Sequence, residues 1–163
     1  MRTLTTFFAL MLIFTANSQN IFVYQTESSE IILMSEGQRE GRLDILIDAT
    51  QEMITEVAPR NTYSSAINVF MIRTKSGKNI LIDTGLGHEL FNNLEKIKIT
   101  TEAVDAVLIT HLHGDHIGGL LHDEKKGFQN AKLMMPKREA ESANENALKM
   151  IALNEGYHFF PLK

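Results

Sequence analysis

Apolar residues occur along this chain in short blocks that polar stretches separate. Residues 21–24 and 31–34 are apolar runs of the length expected for strands. A third apolar run, residues 44–48, begins and ends on a charged residue. Residues 51–58 predict a short helix, and Pro59 would end it.

The middle of the chain predicts a hairpin, a helix and a buried strand. Residues 66–73 and 79–82 have strand character, and residues 75–78 supply a turn between them. Large apolar residues recur at helical spacing within residues 88–97. Residues 104–109 form a nearly continuous apolar run, which favours a strand that is covered on both faces.

The last third predicts one more strand and one more helix. Residues 131–135 form an apolar strand that Pro136 ends. Residues 140–151 carry small and apolar side chains on one helical face, and Gly156 follows the expected end of that helix. Strands that lead into helices indicate a layered fold of the α/β (α+β) class. The pattern contains no internal repeat and no linker between domains.

The first 18 residues have the pattern of a secretory signal peptide. Arg2 precedes an apolar run at residues 7–14, and the small residues Ala16 and Ser18 follow it. The run is shorter than the roughly 20 apolar residues that span a bilayer. We therefore expect cleavage after Ser18, a mature domain at residues 19–163 without stable membrane insertion, and a secreted or periplasmic location.

Composition limits the chemistry that the chain can perform. The 163 residues, 44% of them hydrophobic, suit one globular domain. The absence of cysteine excludes disulfides, thiolate metal sites and a cysteine nucleophile. A net charge of −4 argues against a nucleic-acid partner, because surfaces that bind nucleic acids are usually basic.

The candidate chemistry lies in four side chains within six positions: His111, His113, Asp115 and His116. They follow the expected buried strand, and α/β folds place ligands at the carboxyl ends of strands. Imidazole nitrogens and carboxylate oxygens are ligands that Zn²⁺ accepts. His111 and His113 would project to the same side of an extended segment. Gly114 allows a sharp turn before the other two, so the four could serve two neighbouring ions.

These residues match the H-x-H-x-D-H signature of the metallo-β-lactamase fold superfamily. Residues 79–85 also resemble that family's strand ending in an Asp-x-Gly turn. The stretch from Ala66 to Leu121 is similar to the lactonase-like secreted members. The resemblance covers roughly residues 20–140 and implies a four-layer αββα metallo-β-lactamase fold.

The resemblance implies two zinc ions, although Fe²⁺ or Mn²⁺ could replace zinc at such ligands. The positions of His111 and His113 would bind the first ion, and those of Asp115 and His116 the second. Relatives with di-iron sites often have Glu at the middle histidine position, whereas His113 fits the hydrolases.

The implied activity is a metal-dependent hydrolase that cleaves a small ester, lactone or amide through a metal-bound hydroxide. Asp115 would also be catalytic, because it can orient the nucleophile while bound. Asp83 and Thr110 would hydrogen-bond the His-rich loop without binding metal. A small molecule is the expected substrate, and a homodimer is left open.

The sequence departs from the family pattern after His116. Relatives add a further His, a bridging Asp or Cys and a last His, whereas this chain offers only Asp123 and His158. We expect that the chain corresponds to the N-terminal half of the fold, although His158 could replace the third ligand. An inactive or partner-dependent metal-binding fragment is therefore an alternative.

Asp83, Thr84 and Gly85 also match the catalytic triplet of aspartic proteases. Such an enzyme needs two of these aspartates side by side, and the chain has one triplet, so it would have to dimerise. Leu86 stands where those proteases usually have a small residue.

Overall fold

The computed structural model describes residues 20–159. The expected signal peptide and its cleavage point lie outside this range and stay predictions. Among the residues described, no helix has both the length and the apolar character needed to cross a bilayer.

Nine strands form within residues 20–159. In chain order they are β1 (Ile21–Gln25), β2 (Ser29–Gly41), β3 (Tyr63–Thr74), β4 (Asn79–Ile82), β5 (Ala106–Leu108), β6 (Leu121–His122), β7 (Lys125–Lys126), β8 (Lys132–Met135) and β9 (His158–Phe159). Seven of them form one sheet in the order β1-β2-β3-β4-β5-β8-β9, while β6 and β7 pair separately. The strands predicted at residues 21–24, 31–34, 66–73, 79–82 and 131–135 and the hairpin through residues 75–78 are confirmed, whereas the apolar run at residues 44–48 forms no strand.

Five α-helices occur in the same part of the chain: α1 (Gln51–Val57), α2 (Leu90–Lys96), α3 (Gly114–Ile117), α4 (Lys137–Glu141) and α5 (Glu145–Leu153). The helices predicted at residues 51–58 and 88–97 are confirmed by α1 and α2. The prediction of a single helix at residues 140–151 is wrong, because α4 ends at Glu141 and a second helix, α5, begins at Glu145. The Asn144 side chain accepts a hydrogen bond from Ala147 N–H, and this cap competes with a continuous helix.

The direction of the strands changes in the middle of the sheet. Strands β1 to β4 pair antiparallel, whereas β4, β5, β8 and β9 pair parallel. Ile82 of β4 lies beside Leu108 of β5, so the carboxyl ends of these two strands meet at the same edge. The register between β2 and β3 shifts between Ser35 and Gln38, where Gly37 has a φ of 97°.

The hydrophobic core lies on one face of the sheet. Alternate residues of the strands point to this face; they include Ile32, Met34, Val69, Met71 and Leu81. They pack in one cluster with Leu90 and Leu94 of α2 and Ile151 of α5. The opposite face is also apolar, but residues 20–159 cover it less completely. On it Leu33, Phe70 and Ile82 occupy matched positions of neighbouring strands, and Phe70 is 37% exposed.

The expectation that residues 104–109 form a strand covered on both faces is met in part. The strand is limited to β5, where Val107 is buried and Leu108 is half-buried. The fold class is nevertheless the predicted one, with a large mixed sheet and helices packed on it.

Candidate active site

The site is built around Asp83, which comes directly after β4. Its backbone adopts a φ of 59°, and its side chain is buried. One carboxylate oxygen accepts the Thr110 N–H at 2.7 Å, and the other accepts the Thr110 hydroxyl at 2.8 Å. Thr110 comes just after β5, so this carboxylate joins the ends of two parallel strands. These contacts lie where the sequence-based expectation placed them, while the role of Asp83 and Thr110 beside a metal stays a prediction.

The same carboxylate also orients His116, which lies on α3. Asp83 Oδ2 is 2.8 Å from His116 Nδ1. Because a carboxylate only accepts, Nδ1 carries the proton and Nε2 is left as the free lone pair. His116 Nε2 faces Asp115 Oδ2 at 3.9 Å. The backbone carbonyl of His116 accepts both the N–H and the hydroxyl of Thr84, which fixes the position of α3.

The fold brings the three histidines of the motif together. The ring centroid of His111 lies 3.8 Å from that of His116 and 4.6 Å from that of His113. Thr110 Oγ1 is 3.1 Å from His111 Nδ1. The loop is held from the other side, where Glu139 of α4 accepts the N–H of Leu112. All four predicted ligands therefore share one small region beyond β4 and β5.

The chemistry of these donors fits a zinc ion, since they are three imidazoles and one carboxylate. As placed, however, no group of three or more His, Asp or Glu side chains in residues 20–159 surrounds a common point that could hold an ion. The His111 and His116 rings pack against each other instead. Three donors could face one ion only after these rings rotate.

Two glycines allow the backbone to pack closely under the site. A Cβ atom on Gly118 would lie 2.4 Å from the carbonyl oxygen of Leu86, and one on Gly119 would lie 2.7 Å from that of Thr84. Gly118 N–H also donates to the carbonyl of Gly85. Any larger residue at these two positions would therefore push the two backbone segments apart.

Sequence reasoning missed two residues of β2 that reach the site. Glu36 accepts the N–H of Leu86 at 2.7 Å and that of Glu89 at 3.3 Å, and so holds the loop after Asp83. Arg39 Nη2 lies 3.7 Å from Asp115 Oδ2. Gly37 between them is the signal that could have indicated the bulge, since a glycine after an apolar strand often marks one.

His158 lies apart from the motif. It belongs to β9, which β8 separates from β5, and its side chain is exposed. The structure therefore does not bring this histidine into the cluster. His122 stacks on Phe91 with ring centroids 3.9 Å apart, which is a packing role.

A mixed sheet whose parallel strands end in a loop of clustered His and Asp residues defines a class of α/β protein with a candidate ligand site at the carboxyl ends of its strands. The sequence pattern of the metallo-beta-lactamase superfamily matches residues 63–153, which is more than half of the chain. The chain therefore belongs to the metallo-β-lactamase superfamily.

Curated relatives match up to half of this chain. The chain is 38% identical over 87 residues to the anti-Pycsar protein Apyc1 of Bacillus phage BSP38, covering 50% of this chain and 33% of that protein. It is 32% identical over 71 residues to hydroxyacylglutathione hydrolase 2 of Vibrio vulnificus, covering 44% and 27%. The chain thus spans about a third of the length of these curated relatives.

Solved structures agree with the fold. The dizinc quorum-quenching lactonase AidC superposes with a TM-score of 0.73 at 20% identity, covering 88% of this chain and 62% of that one. At this level of identity the likeness establishes the fold alone.

Proposed function

We propose that the protein is a metal-dependent hydrolase, with two Zn²⁺ ions as its cofactors, that cleaves a small ester, lactone or amide. The observation that carries the proposal is the contact between the Asp83 carboxylate and His116 Nδ1, inside an H-x-H-x-D-H loop. A histidine that ligates a metal commonly donates its other ring nitrogen to a carboxylate in this way.

In this proposal His111 and His113 hold one ion, and Asp115 and His116 hold the other. When bound, such ions lower the pKa of water and polarise the bond that is cleaved. Asp83 and Thr110 keep His116 in the tautomer and orientation that leave Nε2 available. The rings of His111 and His116, which now lie 3.8 Å apart at a 49° tilt, would have to separate.

Asp115 is the residue proposed to act on the reacting water. Its carboxylate is about one-third exposed and lies beside His116 Nε2, so it is accessible from solvent at the site. As a hydrogen-bond acceptor it can hold a water proton and direct the oxygen lone pair toward a substrate carbonyl.

Metal analysis of the full-length protein tests this proposal. We expect about two zinc ions per chain in the wild type and a clear loss in His111→Ala. The control is His88→Ala, since His88 is exposed and outside the motif. A zinc content below about a tenth of an ion per chain, unchanged in His111→Ala, would refute the proposal.

The partner-dependent or inactive fragment is distinguished by comparing this 163-residue chain with a longer form in a hydrolysis assay. Activity in the longer form alone would favour the fragment.

The dimeric aspartic protease is disfavoured, because the Asp83 carboxylate is buried and bonded to Thr110 and His116. Hydrolytic activity that metal chelators leave unchanged would instead support the aspartic protease.

A second candidate comes from the relatives named anti-Pycsar proteins, which include the phage protein described above and one from Paenibacillus that is 54% identical over 41 residues. Under this second hypothesis, the protein counteracts Pycsar. Expression of the full-length protein in cells with an active Pycsar system tests it, with His111→Ala as the inactive control.

A further inference from the structure

A cavity of about 520 Å³ opens beside the candidate active site, at the far end of the β2–β3 pair. Its walls come from the last residues of β2 and from the segment that leads into β3. This volume falls in the range of small-molecule pockets, roughly 300–1,000 Å³. None of the residues in the metal motif lines it.

Two arginines give the cavity a positive wall. Arg39 lines one side and Arg60 lines the other. Within residues 20–159, no carboxylate lies within ion-pair distance of Arg60, and Asp115 is the one such carboxylate near Arg39. Glu40 also lines the cavity, so the arginines outnumber the acidic groups two to one. Guanidinium groups bind phosphates and carboxylates in a planar, bidentate manner.

The remaining wall is aromatic and firmly positioned. The ring of Tyr63 packs directly over Gly41, where a Cβ atom would come within 2.3 Å of the ring. Thr62 belongs to the same wall, and its buried hydroxyl has no hydrogen-bond partner in the described part of the chain. The cavity therefore combines cationic and aromatic side chains, which can fix the orientation of a small ligand.

Arg39 connects this cavity with the active site. Its guanidinium lines the cavity and also lies 3.7 Å from Asp115, the residue proposed to act on the water. A ligand group held by Arg39 would therefore lie next to the H-x-H-x-D-H loop. The geometry is that of a subsite for a substrate group close to the bond that is cleaved.

We propose that Arg39 and Arg60 bind an oxyanion, either a phosphate or a carboxylate group, of the substrate. The inference rests on the proposed function and narrows it: the substrate is a small ester, lactone or amide that carries a negative charge near its reactive bond. The arginines act in binding and positioning, so they affect KM for charged substrates more than kcat.

Binding to the metal-free, full-length protein tests the subsite independently of activity. Inorganic phosphate and acetate are titrated by calorimetry into the wild type, Arg39→Gln and Arg60→Gln. We expect each variant to weaken binding of at least one anion about tenfold, or about 1.4 kcal/mol. The matched control is Arg73→Gln, because Arg73 lies on β3 and pairs with Glu30 away from the cavity. Equal anion binding by wild type, Arg39→Gln and Arg60→Gln would overturn the inference.

Kinetics of the zinc-loaded protein provide the second arm. The substrates are p-nitrophenyl acetate, which is neutral, mono-p-nitrophenyl succinate, which carries a carboxylate beside its ester, and p-nitrophenyl phosphonoacetate, which carries a phosphonate beside its ester in place of a phosphate. We expect Arg60→Gln, whose arginine pairs with no carboxylate in residues 20–159, to raise KM about tenfold for one of the two anionic substrates and to leave the KM of the neutral one nearly unchanged. Arg39→Gln should raise the KM of the same anionic substrate, and its kcat can also change because Arg39 lies 3.7 Å from Asp115. The anion affected tells which group the subsite accepts.

Equal losses on the neutral and anionic substrates would refute the subsite and leave the hydrolase standing, because the arginines would then be structural. Absence of all hydrolysis, together with arginine-dependent anion binding, would refute the proposed function and leave the anion site standing. Circular dichroism of each variant shows that it is folded, and Arg39→Lys, which keeps the charge, should recover part of the binding.

Discussion

Asp83 Oδ2 lies 2.8 Å from His116 Nδ1, and the same carboxylate accepts two hydrogen bonds from Thr110. One buried side chain thus fixes the ends of β4 and β5 and the orientation of a histidine on α3. Because three hydrogen bonds converge on Asp83, a substitution at this position should disturb the geometry of the whole His-rich loop.

Asp83→Asn is expected to weaken zinc binding by about 10- to 100-fold. This is the usual effect of losing a group that hydrogen-bonds a metal-ligating histidine without contacting the metal. An amide replaces one acceptor oxygen with an NH₂ donor, so it cannot accept all three of these hydrogen bonds from Thr110 and His116. Competition with a chromogenic chelator measures the affinity. Asp123→Asn is the matched control, since Asp123 is exposed in the turn between β6 and β7. Identical affinities in the two variants would contradict the role given to Asp83.

Glu36→Ala is expected to loosen the loop that follows Asp83. The carboxylate accepts the N–H groups of Leu86 and Glu89, and its removal leaves both without this partner. The free energy of unfolding should fall by about 1–3 kcal/mol. Hydrogen exchange at these two amides should accelerate, whereas the exposed Glu27→Ala should leave them unchanged. Unaltered protection in Glu36→Ala would count against this contact.

Gly118→Ala and Gly114→Ala form a matched pair within the motif. The new methyl group at residue 118 would meet the Leu86 carbonyl, whereas residue 114 has nothing within 4 Å of the position of a Cβ atom. We expect Gly118→Ala to lower stability by about 1–3 kcal/mol through overpacking. Gly114→Ala should be neutral or slightly stabilising, because Gly114 begins α3. Thermal denaturation distinguishes the two, and equal melting temperatures would be evidence against close packing at Gly118.

Phe70 and Met71 are neighbours on β3 that point to opposite faces of the sheet. Met71 is fully buried in the core, so Met71→Ala should cost about 2–5 kcal/mol of stability. Phe70 belongs to the less covered apolar face, so Phe70→Ala should cost less and should reduce the binding of a hydrophobic dye to the 163-residue chain. Denaturant titration and dye fluorescence provide the two readings. A larger loss of stability in Phe70→Ala would mean that this face is buried.

The sequence was sufficient to locate the motif, because His111, His113, Asp115 and His116 are close in the chain and their spacing is specific. It also indicated Asp83 and Thr110, since each follows an apolar strand. It did not indicate Glu36 or Arg39, whose positions depend on the bulge in β2. The helix break at Asn144 was missed as well, because a local cap overrode the apolar periodicity of residues 140–151.

What the sequence determined by itself is therefore the local chemistry: strand and helix positions, the donor cluster and the superfamily resemblance. Only the tertiary structure decided which distant residues meet. Asp83 and His116 are 33 positions apart, and Glu36 and Leu86 are 50 apart, yet each pair is in contact. Their meeting depends on strand order, register and one bulge, which are set by packing of the whole sheet and leave little trace in any local pattern of residues.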